Sequence, residues 1–206
     1  MSGMELASQQ LDLFTFAILR AEPMTDDEFL RFCGEHDDLR IESNEAGEVE
    51  LMPGTGPETG MRNAELTRQL GNWTKADRCG RIFDSSTMFA LPSGARRSPD
   101  AAWIAKARIA AIPPDQMSGL WHICPEFVIE LRSPSDRPTA LKAKMAEWIA
   151  NGAQLGWLID PEARTVAIYR VGQAAPELLE KPAKLAGEGP VAGFILELAD
   201  IWDAAA

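Results

Sequence analysis

Asp100, Glu130, Arg132, Lys142 and Lys144 are the residues whose types and spacing could do chemistry. Asp100 follows Ser98-Pro99, and the proline fixes the backbone just before it, so the carboxylate is expected at the start of a strand. Glu130 lies thirty residues on, inside Phe127-Val128-Ile129-Glu130-Leu131-Arg132. Strands alternate faces at every residue, which puts Val128, Glu130 and Arg132 on one face and Phe127, Ile129 and Leu131 on the other. An ionised glutamate among such neighbours is costly unless it is paired or bound to metal. A structural ion pair with a nearby Arg or Lys would serve Glu130 alone equally well. Together with Asp100, it forms a pair of oxygen donors of the kind that magnesium, or manganese, takes. Such a cation polarises a phosphodiester and lowers the pKa of a bound water. Arg132 is expected to contact the phosphate, but it stays protonated and makes a poor base. A lysine can shift its pKa. Lys142 and Lys144, two residues apart on the next helix, point about 200° from each other, so only one can face the site. Periodicity does not choose between them.

The elements that must position these groups follow from local signals. Thr25 with Glu28 three residues later fits a capping box and predicts a helix ending near Gly34. Leu39–Glu42 and Glu48–Met52 read as a hairpin, and Pro53–Gly60 as a loop. Met61–Lys75 carries Leu66, Leu70 and Trp73 at helical spacing. Arg81–Asp84, Thr87–Leu91 and Asp100–Ile104 read as strands, and Arg108–Ile112 as a helical turn. Pro125–Ser133 is the clearest buried strand. Pro138–Asn151 is a helix, with Pro138 in its first turn, Gly152 past its end, and Asp136 or Ser135 as its cap. Leu155–Ile159, Thr165–Tyr169 and Phe194–Leu198 complete the strands. Phe14–Arg20 reads as a short strand or extended arm. The order predicts one α/β domain over residues 1–206, a mixed central β-sheet flanked by helices, preceded by an arm over 1–23.

Bulk properties narrow the classes. The chain has 206 residues, enough for one well-cored domain. No run of about eighteen apolar residues appears, so no membrane span is expected. The first residues lack a basic start and an apolar core, and the cysteines Cys33, Cys79 and Cys124 are odd in number and scattered. A cytoplasmic protein without disulfides is therefore expected, with the cysteines read as small hydrophobes. His36 and His122 are too far apart to suggest zinc. The net charge of -11 argues against broad electrostatic binding of nucleic acid. Between Arg96 and Lys144, however, eight basic residues face five acidic ones, a local excess that could hold a phosphate backbone.

The same residues resemble a known family. Ser98-Pro99-Asp100, Phe127 to Asp136 (FVIELRSPSD), Lys144 to Trp148 (KMAEW), Asn151-Gly152 and Trp157 to Pro161 (WLIDP) are similar in order and spacing to the Uma-two-type restriction-endonuclease family of the PD-(D/E)xK nuclease superfamily. The similarity extends to Met24–Phe32, Arg40-Ile41-Glu42, Phe83–Thr87 and Gly193-Phe194. It implies a restriction-endonuclease-like fold with Asp100 and Glu130 as metal-binding acids and the Leu131 backbone carbonyl as a further ligand. The superfamily's usual lysine follows the second acid by two residues, where this chain has Arg132. The family supplies it instead from the next helix, where Lys144 matches by its spacing to Trp148. Glu42 and Asp84 also match recurrent positions, Glu42 as a further acid near the metal or a strand-end structural group. Asn63 and Glu65 are weaker candidates for a polar contribution from the first long helix.

The function expected is a metal-dependent endonuclease acting on DNA, working as a homodimer. A non-catalytic interaction module with the same fold is the alternative, and a hydrolase of small phosphodiesters a third reading. Ser133 and Ser135 lack a His-Asp partner, so a serine hydrolase is not expected.

Overall fold

The computed structural model describes residues 17–19, 24–52 and 54–204. Most of the expected N-terminal arm lies outside them, apart from Ala17–Leu19, which is a strand, β1. In chain order there follow α1 (Asp26–Glu35), β2 (Arg40–Ser43), β3 (Val49–Met52), α2 (Pro57–Asp77), β4 (Gly80–Asp84), β5 (Phe89–Ala90), β6 (Arg96–Arg97) and β7 (Ala101–Ala105). The second half adds α3 (Lys106–Ala110), β8 (Trp121–His122), β9 (Phe127–Leu131), α4 (Pro138–Ala150), β10 (Leu155–Asp160), β11 (Thr165–Arg170), β12 (Glu177–Glu180), β13 (Lys184–Ala186), β14 (Ile195–Glu197) and α5 (Ala199–Trp202).

The class is α/β, as the sequence predicts. The strands divide into two six-stranded sheets, β1-β3-β2-β6-β5-β8 and β12-β11-β10-β9-β7-β4, with β13 and β14 as a separate pair. The second sheet is mixed. β9 runs parallel to β10 and antiparallel to β7, in the register Ala101 opposite Ile129. That register puts Asp100 just beyond the paired end of β7, one step past Ile129.

Strand alternation sorts β9 as expected. Phe127, Ile129 and Leu131 pack with Leu66, Leu70, Trp157 and Phe194. Val128 packs with Met145 and Trp148 of α4 on the other face. Full burial of each large side chain contributes roughly 1.5–3 kcal/mol. A third cluster, Phe29, Ile41 and Val49, fastens α1 to the β2–β3 hairpin. The capping box at α1 is present: Thr25 Oγ1 accepts from Glu28 N at 3.3 Å and Glu28 Oε2 accepts from Thr25 N at 2.8 Å.

Three local expectations change. Residues 57–60 are helical rather than loop, because Pro57 sits in the first turn of α2, where its missing N–H costs nothing. Asp136 does not cap α4. Its Oδ2 turns back to accept from Ser133 N at 2.7 Å and Ser133 Oγ at 2.8 Å, and Arg137 occupies the cap position. Of the cysteines only Cys124 is buried, its thiol pushed up to about 12 by burial, while Cys79 is exposed.

Close packing shows at Gly80. A Cβ there would stand 2.1 Å from Cε2 of Trp103, whose ring is buried in the main core. Gly80→Ala is expected to cost about 1–3 kcal/mol by overpacking. Gly34, helical and with nothing near an added Cβ, is the contrast, and Gly34→Ala should stabilise by about 0.5–1 kcal/mol. Urea unfolding of both variants checks the pair, and equal shifts would refute the packing account.

Candidate active site

The site lies where the two sheets meet α4. Asp100 is held from both sides. Its Oδ2 accepts from Leu131 N at 2.8 Å, and its Oδ1 accepts from Asn63 Nδ2 of α2 at 3.0 Å. The Leu131 contact forms because the β7–β9 ladder has ended at Ala101 opposite Ile129, and the carboxylate accepts from an N–H that lies beyond the paired residues. Leu131 thus meets Asp100 through its N–H, a contact that leaves the carbonyl, the metal ligand that the resemblance implies, unengaged by Asp100.

Glu130, 3% exposed, projects from the same face as Val128 toward α4. Its Oε1 accepts from Trp148 Nε1 at 2.8 Å and lies 3.1 Å from Lys144 Nζ. Lys144 and Trp148 stand one helical turn apart, so both reach the same carboxylate. Lys144 is thus the lysine that faces the site, while Lys142 is exposed. Lys144 Nζ also donates to Glu42 Oε1 at 3.0 Å and to the Ser98 carbonyl at 2.9 Å.

Behind these groups lies Arg97. Its Nη1 reaches Glu50 Oε2 at 2.5 Å and Glu42 Oε2 at 3.2 Å, and its Nε reaches Glu147 Oε2 at 2.6 Å. Glu42 also accepts from Ser98 N at 3.2 Å. The oxygens of Glu42 are thus engaged by Lys144, Arg97 and Ser98, as in the strand-end structural role given above as one of its two readings.

The electrostatics follow the burial. Burial pushes the Glu130 carboxyl up to about 7; Lys144 opposes this, while Asp100 and Glu42 reinforce it. Burial also raises Asp100, against the Leu131 hydrogen bond and the Arg40 charge. Burial alone would raise Glu42, but Lys144 and Arg97 outweigh it and hold the group below the usual carboxylate range. Burial would lower Lys144, yet Glu130 and Glu42 outweigh it, so the ammonium stays protonated.

Among the described residues no group of three or more His, Cys, Asp or Glu side chains closes around a metal position. The pair Asp100 and Glu130 nevertheless fits a divalent cation. Both donate hard oxygens, both are buried with their proton affinity raised, and their repulsion is what a cation would offset. Asn63 Oδ1, buried beside Asp100, has no hydrogen-bond partner, a further oxygen of the right type.

Other expected residues lie elsewhere. Arg132 is turned away, its Nη1 held by Asp160 Oδ2 at 2.9 Å and Glu162 Oε2 at 3.1 Å. Those carboxylates occupy the guanidinium that was expected to meet a phosphate. Glu65 pairs with Arg68 and Gln69, and Asp84 with Ser86 and Thr87. His122 Nε2 lies 2.7 Å from Asp26, which also holds Arg96. The basic excess between Arg96 and Lys144 is largely neutralised by ion pairs: Arg96, Arg97, Arg108, Arg132 and Lys144 all face carboxylates.

The family model described as "Putative restriction endonuclease", Uma2, matches residues 26–199. Among solved structures, a protein from Anabaena variabilis ATCC 29413, titled a "putative nuclease belonging to DUF820", is 26% identical. It superposes with a TM-score of 0.72 over 88% of this chain and 98% of its own. A search of curated proteins returns no match.

Proposed function

The chain belongs to the Uma2 restriction-endonuclease family and is nuclease-like, and from that premise we propose that it hydrolyses phosphodiester bonds of DNA with a divalent cation, magnesium or manganese, held by Asp100 and Glu130. The observation that carries this reading is the buried carboxylate pair beside a protonated Lys144. The cation would supply Lewis-acid polarisation of the phosphate and an acidified water. Asn63 and the Leu131 N–H orient Asp100, and Trp148 orients Glu130, as supporting groups do around metal ligands. Lys144 keeps its proton, so its part is to place positive charge beside the reacting phosphate rather than to take a proton from water. The sequence's proposal for Arg132 at the phosphate receives no support from its position against Asp160 and Glu162. A duplex offers two strands to one site, and we propose a homodimer in the cytoplasm as the working form.

Incubation with plasmid and with short duplexes in magnesium or manganese tests the reading. The native protein should cut, and Asp100→Asn should cut at least ~100-fold more slowly. Cleavage surviving both Asp100→Asn and Glu130→Gln would remove these residues from the chemistry. A net charge of -11 and the internal use of most central cations favour a second reading, an interaction module that keeps the fold without catalysis. Absence of cleavage with either metal, together with a stable protein complex, would select it.

A further inference from the structure

The carboxylates open onto a groove of about 1450 Å³ between the β2–β3 hairpin, the start of α2, and α4 with the loop before it. Its charged lining is mostly acidic, with eight carboxylates against four cations, Arg40, Arg97, Arg137 and Lys144. A phosphate entering it meets net repulsion unless an unspent cation is at hand. Arg97 and Lys144 are occupied by glutamates. Arg137 is exposed on the loop before α4.

Arg40 differs from all of these. It begins β2, its side chain is 31% exposed, and its Nη1 stands 4.0 Å from Asp100 Oδ1. Among the described residues its side chain makes one hydrogen bond, from Nη2 to the Ser85 carbonyl at 3.3 Å. That bond fixes one edge of the guanidinium and leaves most of its five donors for a ligand. A planar fork anchored by a carbonyl beside a metal-binding carboxylate suits a phosphate oxygen pair better than a mobile ammonium does.

We propose that Arg40 is the side chain that grips the substrate phosphate next to Asp100, the place that sequence spacing assigns to Arg132. This inference rests on the nuclease reading and names the contact within that site. The phosphodiester backbone would be held by its charge and shape rather than by its bases, so the contact is indifferent to sequence.

Fluorescent duplex and single-stranded oligonucleotides, titrated in calcium so that binding is read apart from cleavage, provide the test. Arg40→Gln should weaken binding on the order of tenfold, to every sequence alike, and reduce the salt slope of log K by about one. Arg40→Lys should recover the slope and only part of the affinity, because it restores charge without the fork. Melting of each variant near the native temperature separates lost contact from lost fold. Native-like affinity and slope in Arg40→Gln would overturn the assignment, as would a slope that falls for Arg132→Gln and not for Arg40→Gln. Failure of the native protein to bind any oligonucleotide would instead overturn the nuclease reading itself.

Discussion

Arg97→Met is expected to lower stability by ~3–5 kcal/mol, the usual effect of breaking a buried ion pair by removing one partner. For a chain of this size that is a fall in Tm of roughly 6–20 °C. Arg97 has a side chain only 7% exposed and serves three glutamates on separate elements, Glu42 of β2, Glu50 of β3 and Glu147 of α4. Methionine fills similar space but leaves the three carboxylates facing one another, with Lys144 paired to Glu42. Protonation, water entry or separation of α4 from the hairpin must then relieve the repulsion. Arg68→Met removes an exposed pair with Glu65 on the outside of α2 and should shift melting little. Thermal melts of both variants decide the matter, and equal effects would mean that the buried network contributes nothing.

Glu130→Gln should behave in the opposite way. Without metal the variant should be as stable as the native protein or more so, while cation binding disappears and any cleavage falls by ~100-fold or more. Glutamine keeps an acceptor for Trp148 and Lys144 and removes one of the negative charges crowded around that ammonium. The carboxyl's affinity for protons, pushed up to about 7 from an ordinary 4.5, means that ionising it works against the fold. That contribution is absent below pH 4.5 and grows as the pH rises toward 7, so neutralisation relieves the fold above that range. Magnesium should raise the melting temperature of the native protein and leave that of the variant unmoved. A loss of stability comparable to that of Arg97→Met, with no response to magnesium in either protein, would make Glu130 a structural charge.

These two residues also show how much was legible in the sequence. Glu130 stood out because an acid interrupts an apolar strand, a pattern with period two, and Asp100 because proline sets the backbone before it. The tie between Lys142 and Lys144 was not open to periodicity, since both flank the apolar stripe of α4; only the fold shows Lys144 reaching Glu130 and Glu42. Arg97 was hidden within β6, two arginines long and paired with Ser43 of β2 and with β5, a strand with no hydrophobic signature. Strands such as Trp121–His122 and Glu177–Glu180 are likewise defined by their partners rather than by their own residues. Trp148 lies in the core, and its indole N–H also reaches Glu130. For Arg132, shared strand parity says which face the side chain leaves from and not that Asp160 and Glu162 wait beyond the strand's end.

Lys144 joins Glu42, Ser98 and Glu130 across separations of 102, 46 and 14 residues, and it is the last of the four along the chain. During synthesis the two acids and the carbonyl leave the ribosome first. Until α4 has followed and folded onto β9, the emerging polypeptide has the acids without the ammonium that holds them together. The timing of translation thus keeps this cluster from being assembled before α4 has been made.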